Sequence, residues 1–373
     1  MKKKIRVGVL FGGRSAEHEI SLLSAKNIVN ALDKEKYELV LIGINKNGEW
    51  LLQDSARYLV DAHDAKLVHL SKSLENVALV PKENRSQLVS LSHKKNLASL
   101  DVIFPVLHGT YGEDGTIQGL LKLADIPFVG ASVLGSAVGM DKDVMKRLLR
   151  DANIPIAKFI TLTKASLLQT SFALLQKELG LPFFVKPANL GSSIGVSKVK
   201  NEKEWMRASE EAFLFDRKIL VEEFIEGREI ECSVLGNEEP IASLPGEVIP
   251  SDEFNSYKAK YLDEAGTIFE IPAKLDRETI KAVQNLSIKA YSILCCEGMA
   301  RVDCFLKKDG RIYINEINTI PGFTNMSPYP KLWQASGLSY PDLLDKLIQL
   351  ALERYENEKK LKTTYEDISP IVK

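Results

Sequence analysis

The chain has 373 residues, of which 45% are hydrophobic and 27% are charged, and its formal net charge is −1. This length exceeds what one small core needs and predicts two or three domains in an ordinary globular protein. The balanced charge argues against nucleic acid or a membrane surface as the main partner, and no segment has the ~18 apolar residues of a membrane span.

Strands and helices alternate in the first third of the chain. A strand is predicted over 5–11, an amphipathic helix over 20–32, and further strands over 38–44 and 102–107. This alternation is typical of a parallel sheet with right-handed crossovers. The stretch 53–100 is polar and irregular, and it predicts only a strand pair and one helix.

The N-terminus and the cysteines bear on the location of the protein. Lysines precede the first apolar run, as in a signal peptide, but Gly12 and Gly13 interrupt that run too early, so a first β-strand is the better interpretation. The four cysteines have no Cys-x-x-Cys spacing, and so few in so long a chain indicate reduced thiols. We therefore expect a cytoplasmic protein.

Two further regions of mixed structure follow. Between about 139 and 221 the sequence predicts helices over 141–150, 165–179 and 201–214, and strands over 183–186 and 196–199. Beyond them it predicts strands over 219–224, 229–235 and 240–243, a helix over 277–294, a hairpin over 300–317 and a last helix over 341–358. Ser339 is suited to cap the last helix, with Pro341 in its first turn.

Two polar loops follow strands at the same edge of the predicted N-terminal sheet. Glu17 begins the first helix, and the segment HGTYGEDGTIQG starts at His108, directly after a buried strand. Ligands bind at the carboxyl ends of strands in open α/β sheets, so Glu17 could hold an ammonium group and His108 a polar ligand atom. Equally, Glu17 could be a first-turn carboxylate favoured by the helix dipole, and His108 could satisfy only its own loop.

A glycine-rich turn, KPANLGSSIGV, begins at Lys186. Backbone N–H groups of such a turn could cradle phosphate oxygens while Lys186 supplies positive charge. The lysine precedes the glycines and strands flank the turn, which disfavours a P-loop and leaves a plain hairpin turn as the alternative. Residues 222–225 link two strands and could contact an adenine edge, while the loop 251–266 could close as a lid or simply be a flexible loop.

The hairpin near the C-terminus carries the most specific pattern. Its arms, ARVDCFL and RIYINEI, flank a turn containing Asp309-Gly310, and a two- or four-residue turn places Asp303 opposite Glu316 and Arg301 opposite Asn318. All four side chains then share one face, and two opposed carboxylates favour a cation between them. Oxygen ligands suit Mg²⁺ or Mn²⁺ rather than zinc. A three-residue turn would break this register and leave unrelated surface charges.

Four segments together resemble the D-alanine–D-alanine ligases of the ATP-grasp superfamily: HGTYGEDGTIQG, KPANLGSSIGV, ARVDCF and NEINTIPGFT, in this order. The resemblance covers essentially the whole chain. It implies an α/β, three-domain ATP-grasp architecture, with an N-terminal parallel-sheet (pre-ATP-grasp) domain over 1–130, a central ATP-grasp subdomain over 131–221 and a C-terminal subdomain with the metal site over 222–373. It also implies a homodimer.

The resemblance further implies roles for individual residues. ATP would contact Lys142, Lys186, Ser193, Glu222, Glu223, Phe224, Ile225, Glu229 and, when the lid closes, Lys260. Two Mg²⁺ or Mn²⁺ ions would be held by Asp303, Glu316 and Asn318. The first D-alanine would bind Glu17, near His108, with Glu17 linked through Ser192 to Tyr261. Arg301 would stabilise the developing oxyanion, and Gly322 and Ser327 would receive the second D-alanine.

The implied reaction is transfer of the ATP γ-phosphoryl group to a D-alanine carboxylate, followed by attack of a second D-alanine amine, for peptidoglycan precursor synthesis. Pro328 departs from the family pattern after Ser327 and removes a backbone donor. Alternatives in the same fold are a glutathione-synthetase-like ligase, which the HGTYGEDG loop disfavours, and a D-alanine–D-lactate ligase, which Tyr261 disfavours. A catalytically silent ATP-binding module and a Rossmann oxidoreductase are more remote alternatives.

Overall fold

The computed structural model describes residues 3–73, 75–81, 87–93, 96–250 and 267–363. The N-terminal part contains β1 (Ile5–Gly12), α1 (His18–Ala31), β2 (Tyr37–Ile44), β3 (Trp50–Gln53), β4 (Leu59–Val60), β5 (His69–Leu70), β6 (Glu75–Val80), β7 (Gln87–Ser90), β8 (Asn96–Ser99), β9 (Val102–Val106) and α2 (Thr116–Leu123). No helix in the described ranges combines the length and apolarity of a membrane span.

The middle of the chain contains α3 (Val133–Met140), α4 (Lys142–Asp151), β10 (Phe159–Thr163), α5 (Lys164–Leu167), α6 (Phe172–Leu179), β11 (Phe183–Pro187), β12 (Ser197–Val199), α7 (Glu202–Phe215) and β13 (Lys218–Glu223). The last part contains β14 (Arg228–Gly236), β15 (Ile241–Ala242), β16 (Gly246–Pro250), β17 (Thr267–Glu270), α8 (Arg277–Ile293), β18 (Gly298–Leu306), β19 (Ile312–Asn318), α9 (Pro328–Ala335) and α10 (Tyr340–Lys359).

The N-terminal sheet has the strand order β8-β7-β6-β3-β2-β1-β9. Its parallel core is confirmed, because β1 pairs in parallel with both β2 and β9. The expectation for 53–100 was wrong: β3, β6, β7 and β8 extend the sheet with antiparallel pairs, and the described residues of this stretch contain no helix. Short strands separated by polar turns leave no hydrophobic period long enough to reveal them in the sequence.

The helix predicted over 165–179 is also wrong in one respect, since the structure divides it into α5 and α6. Thr163 caps α5 in a capping box with Ser166, and Ser171 accepts a hydrogen bond of 3.2 Å from Leu174 N to cap α6. A polar side chain that caps a helix competes with helical continuation through the same residue. The cap predicted at Ser339 is confirmed, because its Oγ accepts from Asp342 N at 3.3 Å.

Two smaller sheets form the rest of the molecule. The four-stranded sheet has the order β10-β13-β11-β12, and the larger sheet has the order β17-β16-β14-β18-β19 with β15 paired to β14. Helix α10 returns to the N-terminal sheet, where Leu343 and Leu347 share one apolar core with Phe104 and Leu22. Helix α10 is therefore packed against the N-terminal sheet.

Candidate active site

The four-stranded sheet and the larger C-terminal sheet face each other across a cleft of about 310 Å³, here called the inter-sheet cleft. The predicted ATP-binding residues that line it are Lys142, Lys186, Ser193, Glu222, Glu223, Phe224, Ile225 and Glu229. Glu316, from the predicted metal set, lines it too. Lys260 and Tyr261, with the predicted lid, lie outside the described residues.

The register of the β18–β19 hairpin is confirmed at the site, for a reason the sequence analysis did not include. Arg301 pairs with Asn318 and Asp303 with Glu316, but nearer the turn Leu306 pairs with Ile312. Lys307 N donates to Arg311 O at 2.9 Å, which leaves a loop of three residues. A bulge beside Asp303 adds one residue to β19 and restores the predicted pairing. The sequence contained a signal for the bulge, because the apolar residues Ile314 and Ile317 are three apart. In a regular strand such residues point to opposite faces, yet both are buried here.

The bulge also changes which side chains reach the inter-sheet cleft. Asn315 and Glu316 are adjacent in sequence, yet both line the cleft. Asn315 Oδ1 lies 3.5 Å from Lys186 Nζ on the opposite sheet. Asn315 is thus a cleft residue that alternation along the strand would have assigned to the other face.

Arg301 is held by carboxylates on both sides. Its Nε and Nη2 each donate to Asp303 at 2.7 Å, and Nε lies 3.3 Å from Glu231 Oε2. Asp303 also accepts from Asn318 Nδ2 at 3.0 Å. The sequence analysis missed Glu231, which lies opposite Asp303 on β14. The sequence does not reveal that β14, which carries Glu231, pairs with β18.

The lysines of the inter-sheet cleft are paired in the same way. Lys142 Nζ lies 3.1 Å from Glu316 Oε2, and Lys186 Nζ lies 2.5 Å from Glu222 Oε2. Lys146, which the sequence analysis missed, is fully buried and contacts the other oxygen of Glu222 at 2.8 Å. Its signal was its position one helical turn after Lys142 on α4.

Burial and ion pairing act in opposite directions on these groups. Burial alone would raise the pKa of Glu222, but Lys146 and Lys186 together hold that pKa below its ordinary value. Burial lowers the pKa of Lys146, and Glu222 opposes this effect. The lysines of the cleft are therefore held in ion pairs with carboxylates, and a polyanionic ligand could rearrange these pairs.

Two aromatic side chains, Phe184 and Phe224, line the inter-sheet cleft. The rings of Phe184 and Phe224 are 6.0 Å apart, and Lys198 Nζ lies 4.8 Å from the Phe224 ring centroid. Residues 224–227 connect β13 of one sheet to β14 of the other. This part of the cleft has flat apolar ring surfaces beside a linker, an arrangement that suits an adenine ring.

A second part of the site lies around Glu17, at the start of α1. Glu17 is 6% exposed, and Ser192 Oγ donates a hydrogen bond to its Oε1. A Cβ added to Gly109 would lie 2.6 Å from Glu17 Oε2, so only glycine lets the 108–119 loop approach so closely. Glu17, Ser192 and the loop after β9 are therefore brought together, as predicted for the first substrate.

His108 is buried beside Glu17 with both ring nitrogens in hydrogen bonds. Nδ1 lies 3.0 Å from Ile320 O and Nε2 lies 3.2 Å from Ser24 Oγ. Burial lowers the pKa of His108 to about 4, so the ring is neutral near pH 7. Its predicted contact with substrate stays a prediction, while these contacts tie it to the segment before Gly322.

Glu113, in the same loop as His108, is a further residue that the sequence analysis missed. It accepts hydrogen bonds from Gly109 N at 2.8 Å and from Ile320 N at 3.0 Å. Burial, followed by the nearby charge of Glu17, raises its pKa to about 8. Its signal was an acidic residue in a glycine-rich loop at the end of a buried strand.

Gly322 and Ser327 lie together, as predicted for the second substrate. A Cβ on Gly322 would lie 2.6 Å from Ser327 Oγ, and this oxygen accepts from Thr324 N at 2.9 Å. Ser327 immediately precedes α9, whose first residue is Pro328. Proline is suited to that position because the first turn of a helix needs no N–H there.

The donor set for a metal consists of the oxygens of Asp303, Glu316 and Asn318, which suits a hard divalent cation. No group of three or more His, Cys, Asp and Glu side chains in the described ranges has the arrangement of a metal site. The predicted set contains two carboxylates and the amide of Asn318, so it has too few His, Cys, Asp or Glu side chains to be such a group. These carboxylates now neutralise Arg301 and Lys142, and a cation would compete with both.

Two family models match this chain over most of its length. The model described as D-ala D-ala ligase N-terminus matches residues 6–131, and that of the C-terminus matches residues 148–349. The D-alanine–D-alanine ligase of Oceanobacillus iheyensis is 53% identical over 98% of this chain and 100% of its own length. D-alanine–D-alanine ligase A of Escherichia coli strain K12 is 53% identical over 97% of this chain and 100% of its own length.

Solved structures give the same result. The D-alanine–D-alanine ligase of Coxiella burnetii aligns with a TM-score of 0.83 and 41% identity, covering 97% of this chain and 99% of that one. A D-Ala:D-Ser ligase of Enterococcus faecalis aligns with a TM-score of 0.82 and 35% identity, covering 94% and 100%. The chain belongs to the D-alanine–D-alanine ligase family, whose members are ATP-dependent and generally use divalent metal ions.

Proposed function

We propose that this protein joins two molecules of D-alanine into D-alanyl-D-alanine with consumption of ATP, for peptidoglycan precursor synthesis. The observation that carries the proposal is the loop after β11, which touches both parts of the site. Ser193 lines the inter-sheet cleft, and its neighbour Ser192 donates to Glu17. An amino acid bound at Glu17 would thus lie next to phosphates bound by the same loop.

The first step would transfer the γ-phosphoryl group. A carboxylate oxygen of the first D-alanine bonds to the γ-phosphorus, the bond from that phosphorus to the β–γ bridging oxygen breaks, and ADP leaves. Lys142 and Lys186 would neutralise phosphate charge, and Glu17 would hold the substrate ammonium. Catalysis of this kind consists mainly of positioning and charge stabilisation.

The second step would form the peptide bond. The ammonium group of the second D-alanine first loses a proton to solvent, and the amine attacks the acyl carbon of the acyl phosphate to form the new C–N bond. Phosphate leaves with the electrons of the C–O bond, and the new amide nitrogen gives its second proton to the departing phosphate. Arg301 would stabilise the oxyanion of the tetrahedral intermediate, and Gly322 and Ser327 would bind the second D-alanine. Tyr261 would act with Ser192 and Glu17, and Lys260 with the phosphates.

Asp303, Glu316 and Asn318 would hold two Mg²⁺ or Mn²⁺ ions, which supply charge neutralisation on the ATP phosphates. Arg301 donates hydrogen bonds to both oxygens of Asp303, which hold its guanidinium beside the proposed metal ligands.

The activity assay is direct. Purified protein with ATP and Mg²⁺ should release phosphate only when D-alanine is present, and mass spectrometry should identify the dipeptide. L-Alanine is the matched control, and equal turnover with L-alanine would contradict the proposal. D-Serine and D-lactate, offered as second substrates, test the related D-Ala:D-Ser and D-lactate activities in the same assay.

We also propose the domain limits 1–130, 131–221 and 222–373 and a homodimer, which follow from the family resemblance, and a cytoplasmic location, which follows from the N-terminal sequence and the few cysteines. The limit at 221/222 falls within β13, whose last residue is Glu223. Limited proteolysis tests the domain limits. Light scattering tests the homodimer, since a single species of monomer mass would contradict it.

A further inference from the structure

One face of α1 carries three polar residues at a spacing of three: Ser21, Ser24 and Asn27. Ser21 and Ser24 have no exposed surface, although their neighbours Leu22, Ala25 and Ile28 belong to the apolar core. A buried hydroxyl needs hydrogen-bond partners to offset its lost hydration. The partners of these residues lie in the loops that form the two proposed amino-acid sites.

Ser21 holds the loops on the Glu17 side. Its Oγ accepts from Gly12 N at 2.7 Å and donates to Val106 O. Gly12 is the last residue of β1 and Val106 the last of β9. Ser21 therefore fixes the two strand ends from which the Glu17 turn and the His108 loop depart.

Ser24, one turn later, holds the segment that contains Gly322. Its Oγ accepts from Phe323 N at 3.1 Å and lies 3.2 Å from His108 Nε2. His108 Nδ1 must carry the ring proton, because its partner is the carbonyl oxygen of Ile320, which only accepts. In the neutral ring Nε2 is then an acceptor, and the hydroxyl of Ser24 donates to it.

The hydrogen bonds form a closed clamp around Pro321 and Gly322. The series runs from Phe323 N–H to Ser24, from the Ser24 hydroxyl to His108, and from His108 to the carbonyl of Ile320. The N–H of Ile320 donates to Glu113, and the carbonyl of Phe323 accepts from Asn27 Nδ2 at 2.9 Å. Both peptide groups that flank Pro321-Gly322 are thereby fixed to the N-terminal domain.

We propose that Ser24 is a positioning residue for the second amino acid, while Ser21 is its counterpart for the first. This inference rests on the proposed function, in which Gly322 and Ser327 receive the second D-alanine. The clamp sets the backbone of Gly322 in advance, so the second substrate meets a preformed site. Without the clamp, the second amine would attack the acyl phosphate more slowly, and a larger share of the acyl phosphate would be hydrolysed by water.

The test compares Ser24→Ala with Ser21→Ala in the full chain. Both changes remove one fully buried hydroxyl from the same helix, so loss of stability alone should affect them alike. D-Alanine fills two sites in turn, and the dependence of rate on its concentration yields two Michaelis constants. Phosphate released per dipeptide formed reports separately on hydrolysis of the acyl phosphate.

We expect Ser24→Ala to raise the Michaelis constant for the second D-alanine about three- to tenfold, the size expected when a buried hydroxyl and its hydrogen bonds are removed. Its kcat should stay within about twofold, because no catalytic group changes. The phosphate-to-dipeptide ratio should exceed one at low D-alanine and return to one at saturation. Ser21→Ala should raise only the constant for the first D-alanine and keep the ratio at one.

Asn27→Ala provides a second variant, since Asn27 is only partly buried and its loss spares the core. It should change the second Michaelis constant in the same direction as Ser24→Ala, by a smaller factor. The inference is overturned if Ser24→Ala changes both constants equally, changes neither, or matches Ser21→Ala in the phosphate-to-dipeptide ratio. Absence of dipeptide from the unmodified protein would instead overturn the proposed function on which it rests.

Discussion

Lys142 in the inter-sheet cleft, the buried Lys146 of α4 and Arg301 of β18 each pair with a carboxylate, whereas Ser24 and His108, in the N-terminal part of the molecule, are held by neutral hydrogen bonds. Charged pairs can be reorganised when the several negative charges of ATP arrive. Neutral buried hydrogen bonds give fixed geometry without a change of charge.

This difference indicates how each region responds to substitution. On the charged side, removing one group leaves the charge of its partner less well compensated, so rate, stability and pH dependence should all change. On the neutral side, removing one group breaks uncharged hydrogen bonds and should change mainly the affinity for one substrate. The predictions below test this comparison in order of decreasing effect.

Glu316→Gln should have the largest effect. The change keeps the shape of the side chain and removes its charge, so we expect kcat to fall at least about a hundredfold while the fold persists. Phosphate release and thermal unfolding measure the two quantities. Asp309→Asn, at the exposed turn of the same hairpin, is the matched control and should leave the rate unchanged. A near-normal kcat for Glu316→Gln would contradict the proposed role of Glu316 as a metal ligand.

Lys146→Met should lower the free energy of unfolding by about 3 kcal/mol at pH 7, because it breaks a buried ion pair. The native pKa of Glu222 lies below its ordinary value of 4.5, so the stability this pair contributes is present above that pH and is lost as the pH falls through the native pKa. Urea unfolding should therefore show a large difference in the free energy of unfolding between the variant and the unmodified protein at pH 7, and a smaller difference at low pH.

The control for Lys146→Met is Lys122→Met, which removes a surface pair of 3.0 Å with Glu358. Exposed pairs contribute less than about 1 kcal/mol. Equal losses for the two variants would show that the charge of Lys146 is not needed in the core. A loss for Lys146→Met that is independent of pH would contradict the pairing with Glu222.

Glu113→Gln tests the boundary between the two regions, since Glu113 joins the neutral clamp but lies near the charge of Glu17. Its native pKa of about 8 means that the folded protein keeps a proton that the unfolded chain loses above about pH 4.5. Stability should consequently fall as the pH rises from about 5 to 8, by about 3 to 4 kcal/mol. Urea midpoints of Glu113→Gln should have a flatter pH profile, and identical slopes would contradict the raised pKa.

The sequence was sufficient for features that depend on local periodicity. Alternation in β18 and β19 gave the face shared by Arg301, Asp303, Glu316 and Asn318, and the strand ends of β1 and β9 gave the Glu17 and His108 loops. The hairpin shows the limit of such reasoning. Its three-residue turn contradicts the predicted loop length, and the pairing is right at the site only because a bulge compensates.

The residues that were missed share a different cause. Lys146 meets Glu222 across 76 residues of sequence, and Ser24 meets Phe323 across 299. Glu231 meets Arg301 through the pairing of β14 with β18. Each contact depends on how two elements pack in three dimensions, and no local pattern specifies that packing. The family resemblance supplied the remaining positions because it carries tertiary information that single-sequence periodicity lacks.

Gly310→Ala should have the smallest effect and tests whether the bulge separates the hairpin turn from the site. Gly310 has φ of +84°, and a Cβ there would meet no atom within 4 Å, so only the backbone penalty of a left-handed residue remains. We expect a loss of about 1 kcal/mol in the free energy of unfolding, measured with urea, and an unchanged kcat. The register of Asp303 and Glu316 is set beyond the bulge, so strain at the turn should not reach it. A large fall in kcat would mean that the turn, rather than the bulge, holds the carboxylates in register.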